Sequence, residues 1–218
     1  MNKALVFWGG WDGHEPESVA ALFGEILSEE GFQVSVFHGT NCLAEEDLSS
    51  YSLIVPVVTM STIESAESQA VIKAVRDSGV GMAGCHGGMC DSFRNDTDWQ
   101  FMTGGQWVAH PGDDKVNYEI RFTNVTHPIT EGLANFSVTS EQYYLHTDPG
   151  NTVLATTHFP HPGVGGPHEA NPCEMPQVWV KQFGTGRVFY FAVGHNRAVL
   201  EESTPKELMR RGFRWAAR

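Results

Sequence analysis

The sequence has few positive charges and no long apolar run. Its 218 residues include 14 lysines and arginines against 26 aspartates and glutamates, a formal net charge of −12 at pH 7. Nucleic acids and anionic membranes bind basic surfaces that displace counterions, so neither is an expected partner. No apolar stretch approaches the roughly 20 residues of a membrane-spanning helix. The opening segment MNKALVFWGG is typical of a first strand rather than a signal peptide, and we therefore expect a cytoplasmic location.

Cysteine pairs are also missing. The four cysteines, Cys42, Cys85, Cys90 and Cys173, form no CxxC motif and no compact disulfide framework, so reduced thiols are expected. Hydrophobic residues make up 41% of the chain, which is enough for a full core without disulfides. No repeat, low-complexity tract or linker divides the sequence, and we expect one domain over residues 1–218. Against this background, ten histidines and 23 glycines are unusually many.

Apolar periodicity predicts alternating strands and helices in the first part of the chain. Pro16 suits the first turn of a helix that ends at Gly31, and Ser61 and Glu64 have the spacing of a capping box before a second helix. Strands are predicted at residues 3–8, 32–37, 52–58, 80–84, 116–122, 141–146, 152–158, 177–183 and 187–193. The third of these strands is expected to end near Pro56. A final helix, capped by Thr204, follows the last strand. This order predicts an α/β fold with a doubly wound, mostly parallel sheet.

Polar and titratable residues follow three of these predicted strands. They are Trp11, Asp12, His14 and Glu15 after the first strand, Gly84-Cys85-His86-Gly87-Gly88 around the end of the fourth, and Gly194-His195-Asn196 after the last. In an open parallel sheet, ligands bind at the carboxyl ends of the strands. We therefore expect these side chains to meet in one cleft, although they lie far apart in the sequence.

The segment around residue 86 has the form of a nucleophile elbow. In this motif, written G-x-Nuc-x-G, small residues flank a strained turn between a strand and a helix. Gly84 and Gly88 place His86 at the apex of the turn, whereas Cys85 comes one residue early and has Ala83 where its first glycine should be. Cys85 is therefore more easily interpreted as a structural thiol, but a reactive Cys85 remains an alternative.

The same residues resemble a known family. The strand-end pattern is similar to that of class I glutamine amidotransferase-like proteins, with His195 at the position of the late histidine, but Asn196-Arg197 replaces the usual Pro-Glu and His86 replaces the nucleophile. More specifically, five motifs in order resemble the ThuA-like (trehalose utilisation) family: Gly9-Gly10 with His14, the segment 85–94, the segment 104–111, Glu141-Gln142-Tyr143-Tyr144, and Pro176 with Trp179, 184–188 and Gly194-His195. This resemblance implies a flavodoxin-like three-layer sandwich and a cytoplasmic protein of disaccharide catabolism that acts beside oxidoreductases producing 3-keto sugars.

Histidines and one carboxylate are the candidates for chemistry. We predict His86, Glu141 and His195 as catalytic residues, with Glu141 and Tyr143 on one face of a strand because they are two residues apart. His86, His110 and His195, together with Glu141, are also candidate ligands of a divalent metal such as zinc, for which neutral imidazoles and a carboxylate are suitable ligands. No nucleotide cofactor is expected.

Aromatic and polar residues near the strand ends are candidates for sugar binding. A flat aromatic ring suits the apolar face of a sugar, and polar side chains recognise its hydroxyl groups. We predict that Trp11, His14, Asp91, Trp107, Tyr143 and Trp179 contact the substrate. Each has an alternative role: a tryptophan within a strand, such as Trp179, is often core, and Asp91 can cap the helix that follows the elbow.

These observations favour an enzyme that acts on a sugar or its 3-keto derivative, as an isomerase or lyase. A proton next to a carbonyl can be removed by a histidine or by a glutamate with a raised pKa, with or without a metal. A glycosidase is less favoured because that chemistry usually needs two carboxylates. Two alternatives remain open: a non-catalytic sugar-binding accessory protein, and an amidotransferase-like enzyme that depends on Cys85. Association into a homo-oligomer is compatible with the sequence.

Overall fold

A large sheet forms the centre of the molecule. The computed structural model describes residues 2–218. Its strands are β1 Lys3–Gly10, β2 Gln33–His38, β3 Leu53–Thr59, β4 Gly81–Cys85, β5 Gly105–Ala109, β6 Val116–Phe122, β7 Phe136–Ser140, β8 Tyr144–Thr147, β9 Thr152–Phe159, β10 Cys173–Phe183 and β11 Gly186–Phe191. Its α-helices are α1 Pro16–Glu29, α2 Cys42–Glu45, α3 Ser65–Ser78, α4 Gly87–Cys90, α5 Thr97–Thr103, α6 Arg197–Glu201 and α7 Ser203–Ala216.

The sheet has a parallel half and an antiparallel half. Its strand order is β2-β1-β3-β4-β11-β10-β9-β6-β7, and the strands from β2 to β11 in this order run parallel. The remaining pairs, from β11–β10 to β6–β7, are antiparallel. The predicted doubly wound α/β fold is therefore confirmed, with an antiparallel extension on one side.

Helices cover both faces of the sheet, because the strands of the parallel half are apolar on both faces. Along β1, Ala4 and Val6 pack on the side of α1 and α7, and Leu5 and Phe7 pack on the side of α2, α3 and α5. This arrangement gives the three-layer sandwich. No helix in the described chain is both long and apolar enough to span a membrane.

The structure differs from the sequence prediction at three places that bear on the site. Pro56 lies inside β3 rather than at its end; the pairing of β3 with β4 stops at Ile54, so the missing N–H of proline interrupts no bond on that side. Glu141 was predicted on a strand, but it lies in the short link between β7 and β8. Strand β8 pairs with β5 in a separate two-stranded ribbon that the sequence did not predict.

Candidate active site

Three histidines meet at the carboxyl ends of the parallel strands. His14 follows β1, His86 follows β4 and His195 follows β11. The end of β1 approaches the end of β3 closely: Trp11 N–H donates to the Thr59 carbonyl at 2.9 Å. Only glycine permits this approach at residue 10, because a Cβ there would lie 2.1 Å from the Thr59 oxygen and Gly10 has a φ of +80°. The predicted convergence of the three strand ends is present in the structure.

His86 occupies a strained turn, as the elbow motif predicts. Its backbone has φ 50° and ψ −141°, which a residue with a side chain rarely adopts. The backbone N–H of His86 donates to Phe191 O at 2.7 Å, and the hydroxyl of Tyr190 donates to His86 O at 3.1 Å. The imidazole Nδ1 lies 2.7 Å from the Ala192 carbonyl oxygen. Because a carbonyl only accepts, Nδ1 carries a proton and Nε2 points to the other side, toward Glu141.

Glu141 is the centre of the site. Its backbone carbonyl accepts a hydrogen bond from the Tyr118 hydroxyl at 2.8 Å, which fixes the link between β7 and β8. Its side chain is only 6% exposed. The carboxylate oxygens lie 2.9 Å from His86 Nε2, 3.3 Å from His195 Nδ1 and 3.6 Å from His14 Nε2. We refer to His14, His86, Glu141 and His195 as the histidine–glutamate cluster.

Burial and neighbouring charges have opposing effects on the pKa values of the cluster residues. Burial by itself raises the pKa of Glu141, but the imidazoles of His14, His195 and His86 outweigh it and hold that pKa well below its ordinary value. Burial lowers the pKa of His86 to about 4, although the hydrogen bond with Glu141 opposes this. The adjacent carboxylate of Glu141 raises the pKa of the less buried His195. The cluster therefore combines an ionised carboxylate with a neutral His86 at neutral pH.

His110 approaches the cluster from the ribbon side. It follows β5, its side chain is 29% exposed, and its Nδ1 lies 3.8 Å from a Glu141 oxygen. Three buried nitrogen atoms at this place have no hydrogen-bond partner: His110 Nδ1, His195 Nδ1 and the indole Nε1 of Trp107. Buried polar atoms are rarely left without partners, and a ligand bound at this place would supply them.

The cluster has the composition and spacing of a divalent metal site. One ligand atom from each of its four residues lies within 4.8 Å of all the others. With bonds of about 2.0–2.2 Å, neighbouring ligands of such an ion lie about 3–3.5 Å apart, close to the distances from Glu141 to the three imidazoles. Nδ1 of His14 lies 3.0 Å from the Thr59 hydroxyl, and Nδ1 of His86 donates to Ala192 O, as is usual for metal-bound histidines.

This ligand set differs in part from the predicted one. His86, His195 and Glu141 belong to both sets, whereas His14 takes the place predicted for His110. His110 Nδ1 is the farthest of the imidazole nitrogens from the Glu141 carboxylate because its residue enters from β5 rather than from a strand end of the main sheet. His14 had been predicted only as a substrate contact.

Aromatic and cationic side chains surround the cluster. Trp11 is 45% exposed and its ring lies edge-on to His14, with centroids 4.8 Å apart. Trp107 lies beside His110 and under the guanidinium of Arg94, whose Cζ is 4.5 Å from the ring centroid. Arg94 also donates to both carboxylate oxygens of buried Asp91, at 2.6 and 2.9 Å. Trp11 and Trp107 therefore lie where a substrate could contact them, while Asp91 acts through Arg94.

Two predicted substrate contacts lie deeper than expected. Tyr143 is buried beneath the cluster, where its ring stacks on His86 at a centroid distance of 3.9 Å. Trp179 has no exposed surface; it packs on Tyr190, and its indole N–H donates to Thr103 O at 3.0 Å. The prediction that Trp179 contacts a substrate is therefore wrong, because α5 covers this face of β10.

Sequence reasoning missed two residues of the site. Thr59, which orients His14, ends β3, and the strand-end rule that found the histidines would have found it if applied to that strand. Arg94 lies within the motif of residues 85–94, but its position there predicts no role for it. No spacing rule connects Arg94 to Trp107, because their contact depends on how the β5–β8 ribbon folds over α4.

Cys85 lies in the core next to the cluster. Burial raises the pKa of its thiol to about 12, so the thiol is protonated at neutral pH. We expect iodoacetamide at neutral pH to leave Cys85 unmodified in the native protein, to modify the partly exposed Cys173 faster, and to modify both once the protein is denatured. Mass spectrometry of the digested protein measures this. Rapid labelling of native Cys85 with loss of activity would restore the amidotransferase-like alternative.

Comparisons with known proteins agree with this fold. The sequence matches the family described as ThuA, trehalose utilisation, over residues 3–216. A ThuA-like protein from Bacteroides uniformis ATCC 8492 superposes with a TM-score of 0.81 at 21% identity, covering 99% of this chain and 91% of that one. A ThuA-like protein from Parabacteroides merdae ATCC 43184 has a TM-score of 0.76 at 17% identity, with 99% and 89% covered. A cytoplasmic protein from Salmonella typhimurium LT2 has a TM-score of 0.71 at 12% identity, with 99% and 100% covered.

At these identities the structural matches show a shared fold, and a comparison with curated proteins gave no match. The family match spans almost the whole chain and includes all of the cluster residues. The protein belongs to the ThuA (trehalose utilisation) family, and this membership supports a role in sugar utilisation.

Proposed function

We propose that the protein is an enzyme that moves a proton beside the carbonyl group of an oxidised sugar, with a divalent metal held by the histidine–glutamate cluster. The observation that carries this proposal is the arrangement around the Glu141 carboxylate. Nδ1 of His86 donates to a carbonyl, so the lone pair of its Nε2 faces a carboxylate oxygen 2.9 Å away. Two acceptors at this distance need a cation or a proton between them. A metal ion would also give His195 Nδ1 the partner that it lacks.

The proposed reaction starts from the acidity of a carbon next to a carbonyl. Removing its proton produces an enolate, whose negative charge develops on the carbonyl oxygen and must be stabilised. His14, His86, Glu141 and His195 would hold a divalent ion, and such an ion would supply positive charge that stabilises an enolate. Trp11 and Trp107 line the approach and suit the apolar faces of a sugar ring. Return of the proton to a neighbouring carbon gives isomerisation, and loss of a β-substituent gives elimination.

His110 is the proposed base. It stands outside the cluster, its side chain is partly exposed, and its imidazole forms no hydrogen bond with another protein atom. An imidazole with a free nitrogen is suited to accept and return a proton at neutral pH. A glycosidase mechanism is less suitable, because the second nearby carboxylate, Asp91, is held by two hydrogen bonds from Arg94.

Metal analysis and proton exchange test the proposal. We expect the purified protein to carry about one equivalent of a divalent transition metal. Incubation with a 3-keto glucoside in deuterated water is expected to introduce deuterium next to the ketone, as measured by NMR, and a chelator should stop the exchange. If sugars bind but neither exchange nor product is seen with several keto sugars, the protein is a sugar-binding accessory protein instead.

Replacing His110 tests the role of the base separately from the metal. His110→Asn is expected to lower the exchange rate by about 10²- to 10⁴-fold, the usual contribution of a general base, while the bound metal is retained. His146→Asn is the matched control, because His146 is an exposed histidine on the same ribbon. Full exchange activity in His110→Asn would contradict the assignment, and loss of metal from that variant would make His110 a ligand.

A further inference from the structure

Arg94 is held in place by a buried carboxylate but keeps part of its guanidinium free. Its Nε and Nη2 donate to the two carboxylate oxygens of Asp91 at 2.6 and 2.9 Å, and Asp91 is only 3% exposed. A guanidinium carries five N–H donors, so this pairing along one edge leaves three on Nη1 and Nη2. The side chain of Arg94 is 43% exposed. The second edge of the guanidinium, formed by Nη1 and Nη2, is therefore open to a ligand.

The guanidinium lies beside the proposed base. Its Cζ is 4.5 Å from the centroid of the Trp107 ring, and that ring is 5.5 Å from the ring of His110. Because both distances end at Trp107, Cζ of Arg94 is at most about 10 Å from the centre of the His110 ring. Of the lysines and arginines in the described chain, only Arg94 forms an ion pair or a cation–π contact with a residue of the site.

The buried partner of Arg94 also lies next to the histidine–glutamate cluster. The backbone N–H of Met60 donates to Asp91 O at 2.7 Å, and the hydroxyl of the preceding residue, Thr59, lies 3.0 Å from Nδ1 of His14. Burial raises the pKa of Asp91, and the neighbouring charges of Arg94 and His14 oppose that rise. The pair of Asp91 and Arg94 is thus part of the surroundings of the cluster.

A second donor at this place has no acceptor. The indole Nε1 of Trp107, whose ring Arg94 covers, is buried and forms no hydrogen bond with the protein. An indole N–H only donates, and a buried donor without an acceptor is unfavourable. A charged donor and a neutral donor side by side are best matched by an anionic acceptor, because hydrogen bonds between ionised groups are the stronger ones.

The surrounding charges favour an anion with a single negative charge. Asp113 Oδ1 lies 3.9 Å from Nδ1 of His110. After Glu141, the carboxylates of Asp114 and Glu15 contribute to the raised pKa of the cluster histidine that follows β11, so they lie near the site as well. Repulsion between like charges grows in proportion to the charge of the ligand, so these carboxylates disfavour a doubly charged phosphate more than a carboxylate. A carboxylate also matches the two parallel N–H groups at the free edge of the guanidinium.

We infer that the free edge of Arg94 binds a carboxylate group of the substrate, which is therefore a sugar acid. That this ligand is the substrate rests on the proposed function. In a 3-keto hexuronic acid, the carboxylate carbon is three carbon–carbon bonds of about 1.5 Å from the carbonyl carbon. Hydrogen bonds of about 2.9 Å at each end extend this reach to about 10 Å, which matches the separation of Arg94 and His110.

Binding of unoxidised sugars to the purified protein tests the inference without turnover. Methyl β-glucuronide and methyl β-glucoside differ only at carbon 6, where the first has a carboxylate. In an NMR titration of the isotope-labelled protein, we expect the glucuronide to bind about 10- to 100-fold more tightly, the usual effect of charge-assisted hydrogen bonds. Equal affinities, or no binding of the glucuronide, overturn the inference. Tighter binding of methyl glucoside 6-phosphate than of the glucuronide overturns the assignment to a carboxylate.

Matched lysine variants locate the effect. Arg94→Lys keeps a positive charge beside Asp91 but lacks the planar fork, and we expect it to reduce the preference for the glucuronide by about 10-fold. Arg121→Lys is the control, because Arg121 also pairs with a carboxylate, that of Glu174, and its side chain is 39% exposed. It should keep the full preference, and both variants should bind the neutral glucoside as the unmodified protein does.

An unchanged preference in Arg94→Lys contradicts the inference. The result is also independent of the proposed chemistry. If no keto sugar undergoes proton exchange, but the glucuronide preference is present and depends on Arg94, the carboxylate site is supported and the proposed reaction is wrong.

Discussion

Glu141→Gln is expected to abolish metal retention and to reduce deuterium exchange into a 3-keto glucoside by about 10²- to 10³-fold or more. Glutamine keeps the size of the side chain but removes the negative charge that three imidazoles of the cluster surround at 2.9–3.6 Å. Without that charge, a divalent ion has no anionic ligand in the cluster. The unfavourable free energy of burying its positive charge is then no longer offset by a carboxylate. Metal analysis of the purified variant and the exchange rate measured by NMR check the two expectations.

Glu174→Gln is the matched control for this experiment. Glu174 also contacts an imidazole and an arginine, His158 and Arg121, but it lies on the surface of β10 with its side chain 53% exposed. Because exposed ion pairs contribute little, this control should keep its metal content and activity. If Glu141→Gln retains both the metal and the exchange activity, then neither the ligand role nor the proposed chemistry of the cluster is correct.

The part of the site carried by the parallel strands is predictable from sequence. His14, His86 and His195 follow strands whose apolar runs, helix starts and glycine stops are visible in the sequence, and the winding of an α/β sheet places their carboxyl ends at one edge. The elbow glycines also predict the strained backbone of His86. Local pattern and global topology agree here, so a simple rule brings together residues that are far apart in the chain.

The part carried by the antiparallel half is harder to predict. Glu141 was identified as a candidate, but on the basis of a strand that does not include it. Its actual position depends on two long-range contacts, the Tyr118 hydroxyl on its carbonyl and the pairing of β8 with β5. Neither leaves a periodic signal in the sequence. The same applies to His110, which reaches the cluster only because the ribbon folds over α4.

Two smaller errors have local physical causes. The capping box of α3 is formed by Glu64 and Glu67, one turn after the predicted pair Ser61 and Glu64, because the Glu67 carboxylate accepts from Glu64 N–H at 3.0 Å. Both pairs have the same spacing, so the sequence alone does not distinguish them. Trp179 is in the core because its indole N–H finds a buried carbonyl on α5, and such a partner is not visible before the packing is known.

Gly87→Ala is expected to weaken metal binding by about 10- to 100-fold while the fold is retained. Gly87 is the first residue of α4, and a Cβ there would lie 2.8 Å from His14 Cε1 and 2.8 Å from Thr59 Cγ2. The added methyl group must therefore displace the His14 imidazole or the threonine that orients it, and Nε2 of His14 would move away from the Glu141 carboxylate. Metal affinity, measured by competition with a chromogenic chelator, checks this.

Gly88→Ala separates this effect from a general loss of stability. A Cβ at Gly88 would lie 3.2 Å from Val57 Cα and 3.4 Å from Pro56 O, so it strains the packing of α4 on β3 without contacting a cluster residue. We expect Gly88→Ala to keep its metal affinity but to melt a few degrees lower. A loss of about 1 kcal/mol in the free energy of unfolding has this effect in a chain of this size. Gly87→Ala should lose metal affinity in addition to any loss of stability, because its Cβ contacts His14 and Thr59 directly. Equal losses of metal affinity in the two variants would mean that packing of α4, rather than the position of His14, controls the site.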